Sequence, residues 1–195
     1  MKYPHIPHLS RLPKQTRAAL LSDAYVFEKL DGGNVQVAVG DRVVTHGLRS
    51  GRLKGSRAPW AEEFQKWYWT NSGSIDDLPP GIYFGEFLAP HTISYKPEFA
   101  NNFFLIDFYD IERQEFQDYN SALKKIKGKE EIMMPAPMLR RGSLTEEEIE
   151  QLVNGRSGYS VSGEREGVVI KNYSLQLFAK VKHPNFRNNP SLTKD

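Results

Sequence analysis

Apolar residues in this chain recur with two different periods. Tyr25-Val26-Phe27 is an unbroken apolar run, and Val35, Val37 and Val39 then repeat at every second position, the spacing of a half-buried strand. Asp31-Gly32-Gly33 interrupts the two, so the pattern predicts a strand, a tight turn and a second strand, with Lys29 at the lip of the turn. A turn at Gly40-Asp41 leads to a short strand holding Val43 and Val44, and Gly47 to Arg52 reads as a glycine-bracketed basic loop. Further strands are expected over Ile82–Leu88, Phe103–Tyr109, Gly167–Lys171 and Leu175–Lys182.

Helical spacing takes over elsewhere. A short helix is expected from Gln15 to Leu21, and a longer one over about residues 58–69, where Trp60, Phe64, Trp67 and Tyr68 share a face as core residues. Tyr119, Ala122, Leu123 and Ile126 mark the buried face of a helix over about residues 118–127. Thr145 with Glu148 forms a capping box that starts a helix turning Ile149, Leu152 and Val153 inward. Met133–Pro137 reads as a linker too short for a domain boundary, and Asn154–Gly163 as a polar, glycine-rich, mobile loop. Strands outnumber helices and the connections are hairpin-like. The expected fold is therefore α+β, antiparallel sheets with flanking helices in a single domain spanning residues 1–195.

Composition narrows the class. With 39% hydrophobic and 12% aromatic residues in 195, the chain can fill a core. No apolar run has the length of a membrane span or the form of a signal peptide. The absence of cysteine excludes disulfides and thiolate metal sites and suits a reducing, intracellular, cytoplasmic setting. Net charge is only +2, but it is unevenly spread. Arg42, Arg49, Arg52, Lys54 and Arg57 crowd one segment, and Lys180, Lys182, Arg187 and Lys194 another, a distribution suited to a polyanionic partner.

Several stretches carry chemistry. Lys29 ends an apolar strand, where poor solvation favours the neutral, nucleophilic amine; Asp31 can orient it, and Gly32 lets backbone approach a ligand closely. Glu86 stands after a glycine inside an apolar strand, where a carboxylate needs a hydroxyl, a cation or a metal. Glu166 opens another apolar strand. Alternation turns Lys180 and Lys182 to one face, so an anion between them, above all phosphate, would relieve their repulsion. The same alternation sets Glu166 and Lys171 on opposite faces, which weakens Lys171 as a ligand contact. His5, His8, His46, His91 and His183 show no metal-ligand spacing.

These stretches resemble, in order, the motifs of the covalent nucleotidyltransferases, the superfamily of ATP-dependent ligases and mRNA capping enzymes. Glu28-Lys29-Leu-Asp31-Gly32 is similar to motif I, Phe84-Gly-Glu86-Phe87 to motif III, Phe103 to Asp107 to motif IIIa, Glu166-Gly-Val-Val-Ile-Lys171 to motif IV and Lys180-Val-Lys182 to motif V. The run through Gly33 to Asn34 and the terse Lys-Val-Lys are most similar to the second RNA ligase family, which seals nicks in duplex RNA. The resemblance implies a ligase adenylation domain of ATP-grasp-like kind. Lys29 would take AMP from ATP, with Lys180 and Lys182 on the α-phosphate and Glu166 beside Lys29 and a metal. Glu86 would hold the ribose hydroxyls, and Arg49 and Asn34 would contact phosphate or the reacting strand. The implied metal is magnesium, with manganese as a substitute, and the implied partner is nicked or broken RNA rather than a membrane.

Two departures accompany the resemblance. Where the family stacks adenine on an aromatic residue before the motif IIIa aspartate, this chain has Ile106, with Phe104 and Phe108 expected on the same strand face as an alternative platform. Only a short tail follows Lys182, so an accessory domain or subunit is expected for sealing. The motifs leave open a minimal DNA ligase, a GTP-using capping guanylyltransferase, or a non-catalytic nucleic-acid-binding domain of the same fold, since the RNA choice depends on reading the 2′-hydroxyl and A-form shape.

Overall fold

The strands flanking Lys29 do not pair with each other. The computed structural model describes residues 1–40, 44–48, 59–89 and 92–187. Its elements, in chain order, begin with a 3-10 turn (Leu9–Arg11), α1 (Lys14–Leu21), β1 (Ala24–Glu28), β2 (Gly33–Val39), β3 (Val44–Leu48), α2 (Pro59–Ile75), β4 (Gly81–Phe87) and β5 (Phe103–Asp110). There follow β6 (Glu115–Phe116), α3 (Tyr119–Lys125), β7 (Met133–Pro135), β8 (Met138–Gly142), α4 (Glu146–Val153), β9 (Gly167–Asn172), β10 (Leu177–Lys182) and α5 (Pro184–Arg187). One sheet has the order β10-β9-β1-β8 and the other β3-β2-β4-β5-β6, so β1 and β2 lie in different sheets and the expected hairpin is absent. The burial pattern shows why: all five β1 residues are buried, as in an inner strand with a partner on each side, whereas β2 alternates.

The chain divides into two compact units. One comprises Met1–Pro4 and Asp31–Ala136, the other His5–Leu30 and the chain from Pro137 onward. The chain therefore crosses between Pro4 and His5, again just after Lys29, and a third time inside the segment expected to be a mere linker, which also supplies β7, pairing parallel to β5.

In the first unit Val35, Val37 and Val39 of β2 pack with Tyr83, Phe103, Leu105 and Phe108 beneath Phe64, Tyr68 and Ile75 of α2 and Ala122 and Ile126 from the α3 region. The aromatic stripe expected on α2 is thus core, although the helix runs six residues further than the spacing suggested, to Ile75. Gly85 makes room for Phe103: a Cβ there would lie 2.3 Å from the Phe103 ring. The β4–β5 register shifts between Phe84 and Gly85, pairing Gly85 with Leu105 but Phe84 with Asp107 and leaving Ile106 as the extra residue. This bulge overturns one expectation. Phe104 faces the same way as Glu86, but Phe108 is thrown to the opposite side, into the core against Tyr83.

The second unit packs Leu20 and Leu21 of α1 and Ile149 and Val153 of α4 on one face of its four-stranded sheet, against Ala24, Val26, Val168, Ile170, Ala179 and Val181. Thr145 caps α4 with the full capping box read from the sequence. Helix α5 and the edge strand β8 were not anticipated; β8 is largely exposed and lacks an apolar rhythm. Among the described residues no helix is long and apolar enough to cross a membrane.

Two predictions follow from this packing. Phe103→Ala should cost about 3–5 kcal/mol of unfolding free energy, read from urea midpoints, because the fully buried ring packs over Gly85 and stacks on Trp67. The Tyr83 hydroxyl donates to Pro79 O at 2.7 Å, and burial pushes this phenol well above its ordinary value of 10.0. The folded state then keeps a proton that the unfolded chain releases, so stability should fall as pH rises above about 10, and Tyr83→Phe should flatten that fall in alkaline melts.

Candidate active site

Lys29 follows directly after β1, and its backbone N–H donates to Gly167 O at 2.9 Å, so the end of β1 and the start of β9 are held together there. Its Nζ lies 2.5 Å from Glu166 Oε2. The other oxygen of the same carboxylate, Oε1, takes Lys182 Nζ at 3.0 Å. Glu166 is only 5% exposed in its side chain, against 20% for each lysine, so one buried anion is shared by two half-buried cations. Such an arrangement is costly in desolvation unless every lone pair is used, and here both oxygens are.

Gly167 makes this possible. Its φ of +154° and its closeness to the next strand, where a Cβ would stand 2.1 Å from Val181 O, exclude a side chain. Because β9 begins at Gly167, Glu166 stands outside the strand and its direction is not set by strand alternation. Alternation does hold inside the sheet. The pairs Phe178–Lys171, Lys180–Val169 and Lys182–Gly167 place Lys171, Lys180 and Lys182 on one face, as expected for the last two. Lys171 is itself 2% exposed, with its Nζ 5.0 Å from the Phe27 ring centroid and 5.8 Å from that of Phe178. It shares the face of Lys180 and Lys182, while Glu166 reaches Lys182 from outside the strand, so the opposition inferred from alternation does not apply.

Glu28, which the motif I resemblance sets beside the nucleotide, is 4% exposed with both oxygens engaged inside the second unit: Oε1 accepts from Ser157 Oγ at 2.5 Å and Oε2 from Arg165 Nε at 3.2 Å. Strand alternation explains this, since Glu28 faces opposite to its neighbours Phe27 and Lys29. Arg165 and Ser157 were missed because neither carries a motif. The available signal was the order Glu-Lys at residues 28–29 against Arg-Glu at 165–166. The loop expected to be mobile is tied down at this point, with Ser157 N–H donating to Gly163 O at 2.9 Å.

The first unit holds the remaining candidates. The Asp31 carboxylate accepts from Ile93 N–H at 2.9 Å, and Asp31 N–H donates to Tyr95 Oη at 2.6 Å, a neighbour the sequence did not suggest. Gly32 N–H donates to Glu86 Oε1 at 3.1 Å, and a Cβ on Gly32 would lie 2.4 Å from Phe87 O. Asn34 pairs with Glu86 across β2 and β4, and its buried Oδ1 has no hydrogen-bond partner among the described residues. Phe104 pairs with Glu86 from the other side. Phe104 is buried, edge-on to Phe99, while Ile106 is the part-exposed residue of this stretch. Tyr3 donates to Asp107. Arg49, with Arg42, Arg52, Lys54 and Arg57, lies outside the described residues.

Among the described residues no group of three or more His, Asp or Glu side chains could hold a metal by itself. Glu166 offers one carboxylate beside the lysines, a donor set that fits a hard cation such as magnesium held mostly by ligand phosphates and water.

The model of the RNA ligase family matches residues 22–183, and the chain belongs to that family. Its fold is that of an RNA ligase from Naegleria gruberi. A mutant of that enzyme with ATP and manganese superposes with a TM-score of 0.68 at 18% identity, covering 95% of this chain and 56% of that one. The form with pyrophosphate gives 0.69 at 19% identity, covering 95% of this chain and 57% of that one. Another mutant, with AMP and manganese, gives 0.69 at 18%. The chain thus spans somewhat over half the length of the ligase it matches. No curated protein matches the chain.

Gly167→Ala should strain the backbone and push Glu166 away from its lysines. The expected cost is about 1–3 kcal/mol, seen as a lowered thermal midpoint.

Proposed function

We propose that this chain is the adenylation domain of an ATP-dependent RNA ligase. The observation that carries the reading is the single Glu166 carboxylate bridging Lys29 and Lys182. It gathers the proposed nucleophile, a phosphate-binding cation and an acid within contact distance, and the family match is what turns that cluster into ligase chemistry.

In the first step the Lys29 amine forms a bond to the α-phosphorus of ATP. The bond to the bridging oxygen of pyrophosphate breaks, and the amine proton passes to Glu166 or to water. Approach of the negatively charged triphosphate favours Lys180 and Lys182, whose ammonium groups can neutralise charge on the α-phosphate, and little covalent work is left to the protein beyond positioning. Glu86, which accepts from Gly32 N–H, would hold the ribose hydroxyls. Asn34 brings a buried acceptor, and part-exposed Ile106 an apolar surface for the base. Lys171 supports the same face of the sheet from its aromatic surroundings. Bound magnesium, or manganese, would add charge neutralisation on the phosphates, with Glu166 as its protein ligand.

The AMP then passes from Lys29 to a 5′-phosphate oxygen of an RNA strand, and a 3′-hydroxyl oxygen attacks that phosphorus, releasing AMP and sealing the break. Naegleria gruberi RNA ligase has been solved with ATP, AMP and pyrophosphate, the species this scheme requires. Since the chain spans little over half of that protein, sealing in our reading draws on a further domain or subunit, while self-adenylylation does not. A chain without cysteine suits a reducing, intracellular setting for this work.

The test is incubation with ATP labelled at the α-phosphate and magnesium, followed by denaturing electrophoresis. Label should stay on the wild type, leave on addition of pyrophosphate, and be absent from Lys29→Ala. Folded wild-type protein that takes no label from ATP or GTP overturns the reading.

A further inference from the structure

The residues beside the two members of the Lys29–Glu166 pair form an ion pair of their own. Glu28 precedes Lys29, and Arg165 precedes Glu166. Lys29 meets Glu166 at 2.5 Å while Glu28 meets Arg165 at 3.2 Å, so two adjacent dipeptides are joined by two ion pairs of opposite polarity. The first is half-buried; the second, with side chains 3% and 6% exposed, is nearly sealed from water.

Arg165 is held at every nitrogen. Beyond Nε on Glu28, one terminal amino group donates to Leu152 O at 2.6 Å, at the end of α4, and the other to Arg156 O at 2.8 Å. Glu28 is equally committed, because Ser157 Oγ donates to its second oxygen and in turn accepts from Tyr159 N–H at 3.0 Å and Ser160 N–H at 3.2 Å. The guanidinium fork and the carboxylate therefore link three pieces of chain: the end of β1, the last turn of α4 and the turn at Arg156 to Ser160. Beyond Glu166, the backbone is fixed again by His183 N–H on Glu166 O at 2.8 Å.

We propose that Glu28 and Arg165 are positioning residues whose buried pair sets the register in which Glu166 meets Lys29 and Lys182. Glu166 stands outside β9, after a loop with no regular structure, so the sheet ladder alone does not place it. The backbone bonds from Lys29 N–H to Gly167 O and from His183 N–H to Glu166 O align the chains from Glu166 onward but do not reach the residue before it. Arg165 supplies the missing restraint by fastening the residue before Glu166 to the one before Lys29. A buried pair adds little to stability compared with apolar residues of the same shape, but it rejects alternative registers, since a slip by one residue would bury two unpaired charges. The catalytic meaning of this register rests on the ligase reading; the register itself does not.

The test therefore uses a readout independent of ATP. Wild type, Glu28→Gln and Arg165→Lys are exposed to trace acetic anhydride at one pH, and the acetylation of individual lysines is quantified by mass spectrometry. The first variant removes the charge at constant shape, and the second keeps the charge but loses the fork. Acetylation of Lys29 and Lys182 should rise several-fold together in both variants, with exposed Lys14 on α1 unchanged as the internal reference. In protein that takes label from ATP, the adenylylation rate at saturating ATP should fall about tenfold or more at unchanged KM, as for a misplaced nucleophile. Unchanged acetylation of Lys29 and Lys182 in folded variants overturns the proposal. So does a rise at every lysine including Lys14 in both variants, which would make the pair a support of the whole fold. A wild type that takes no label from ATP sinks the ligase reading and leaves the acetylation result standing.

Discussion

Everything at the candidate site depends on a negative charge kept almost out of water between two positive ones. Glu166 would be prohibitively expensive at its depth if it stood alone, and two ammonium groups as near as Lys29 and Lys182 would repel without it. Each makes the others tolerable. The surrounding architecture can be understood as what is needed to bring these side chains together: an inner strand ending at Lys29, a strand carrying Lys180 and Lys182 on one face, and a glycine that lets Glu166 reach across. An incoming triphosphate alters the balance, because it offers both lysines a competing anion. That exchange is the physical content of the proposed first step.

The same features explain which parts could be read in advance. Elements with a strong apolar rhythm were legible: the inward face of β2, the aromatic stripe of α2, the capping box of α4 and the apolar β5 all appear where the pattern put them. Lys180 and Lys182 share a face because strand alternation is a local rule. Pairing partners were not legible, because they are decided by residues distant in sequence. Gly32 and Gly33 looked like turn residues of a hairpin, yet they serve close packing, one against Phe87 O and the other against the Trp60 ring. One bulge at Ile106 was enough to reverse the direction of Phe108.

Within the site, the structure separates two neighbours of one motif. Glu28 belongs to the same short stretch as Lys29. Alternation at a strand end separates them, sending one into the buried network and the other to the half-exposed lysine cluster. Arg165 and Ser157 escaped notice because a buried polar network has no periodic signature; only its partners reveal it.

The chain path has a consequence for how the protein comes into being. The unit holding Lys29 is interrupted in sequence by the whole of Asp31–Ala136 and resumes only at Pro137. During synthesis the first unit has most of its residues long before β9 and β10 emerge, whereas strand β1 must wait for partners more than a hundred positions downstream. Until then β1 lacks its strand partners, and Lys29 just after it lacks the carboxylate that will balance it. The cluster of Lys29, Glu166 and Lys182 therefore assembles late, completed only when residues 166 and 182 arrive, so that a nascent chain truncated before them would hold Lys29 without its ionic partner.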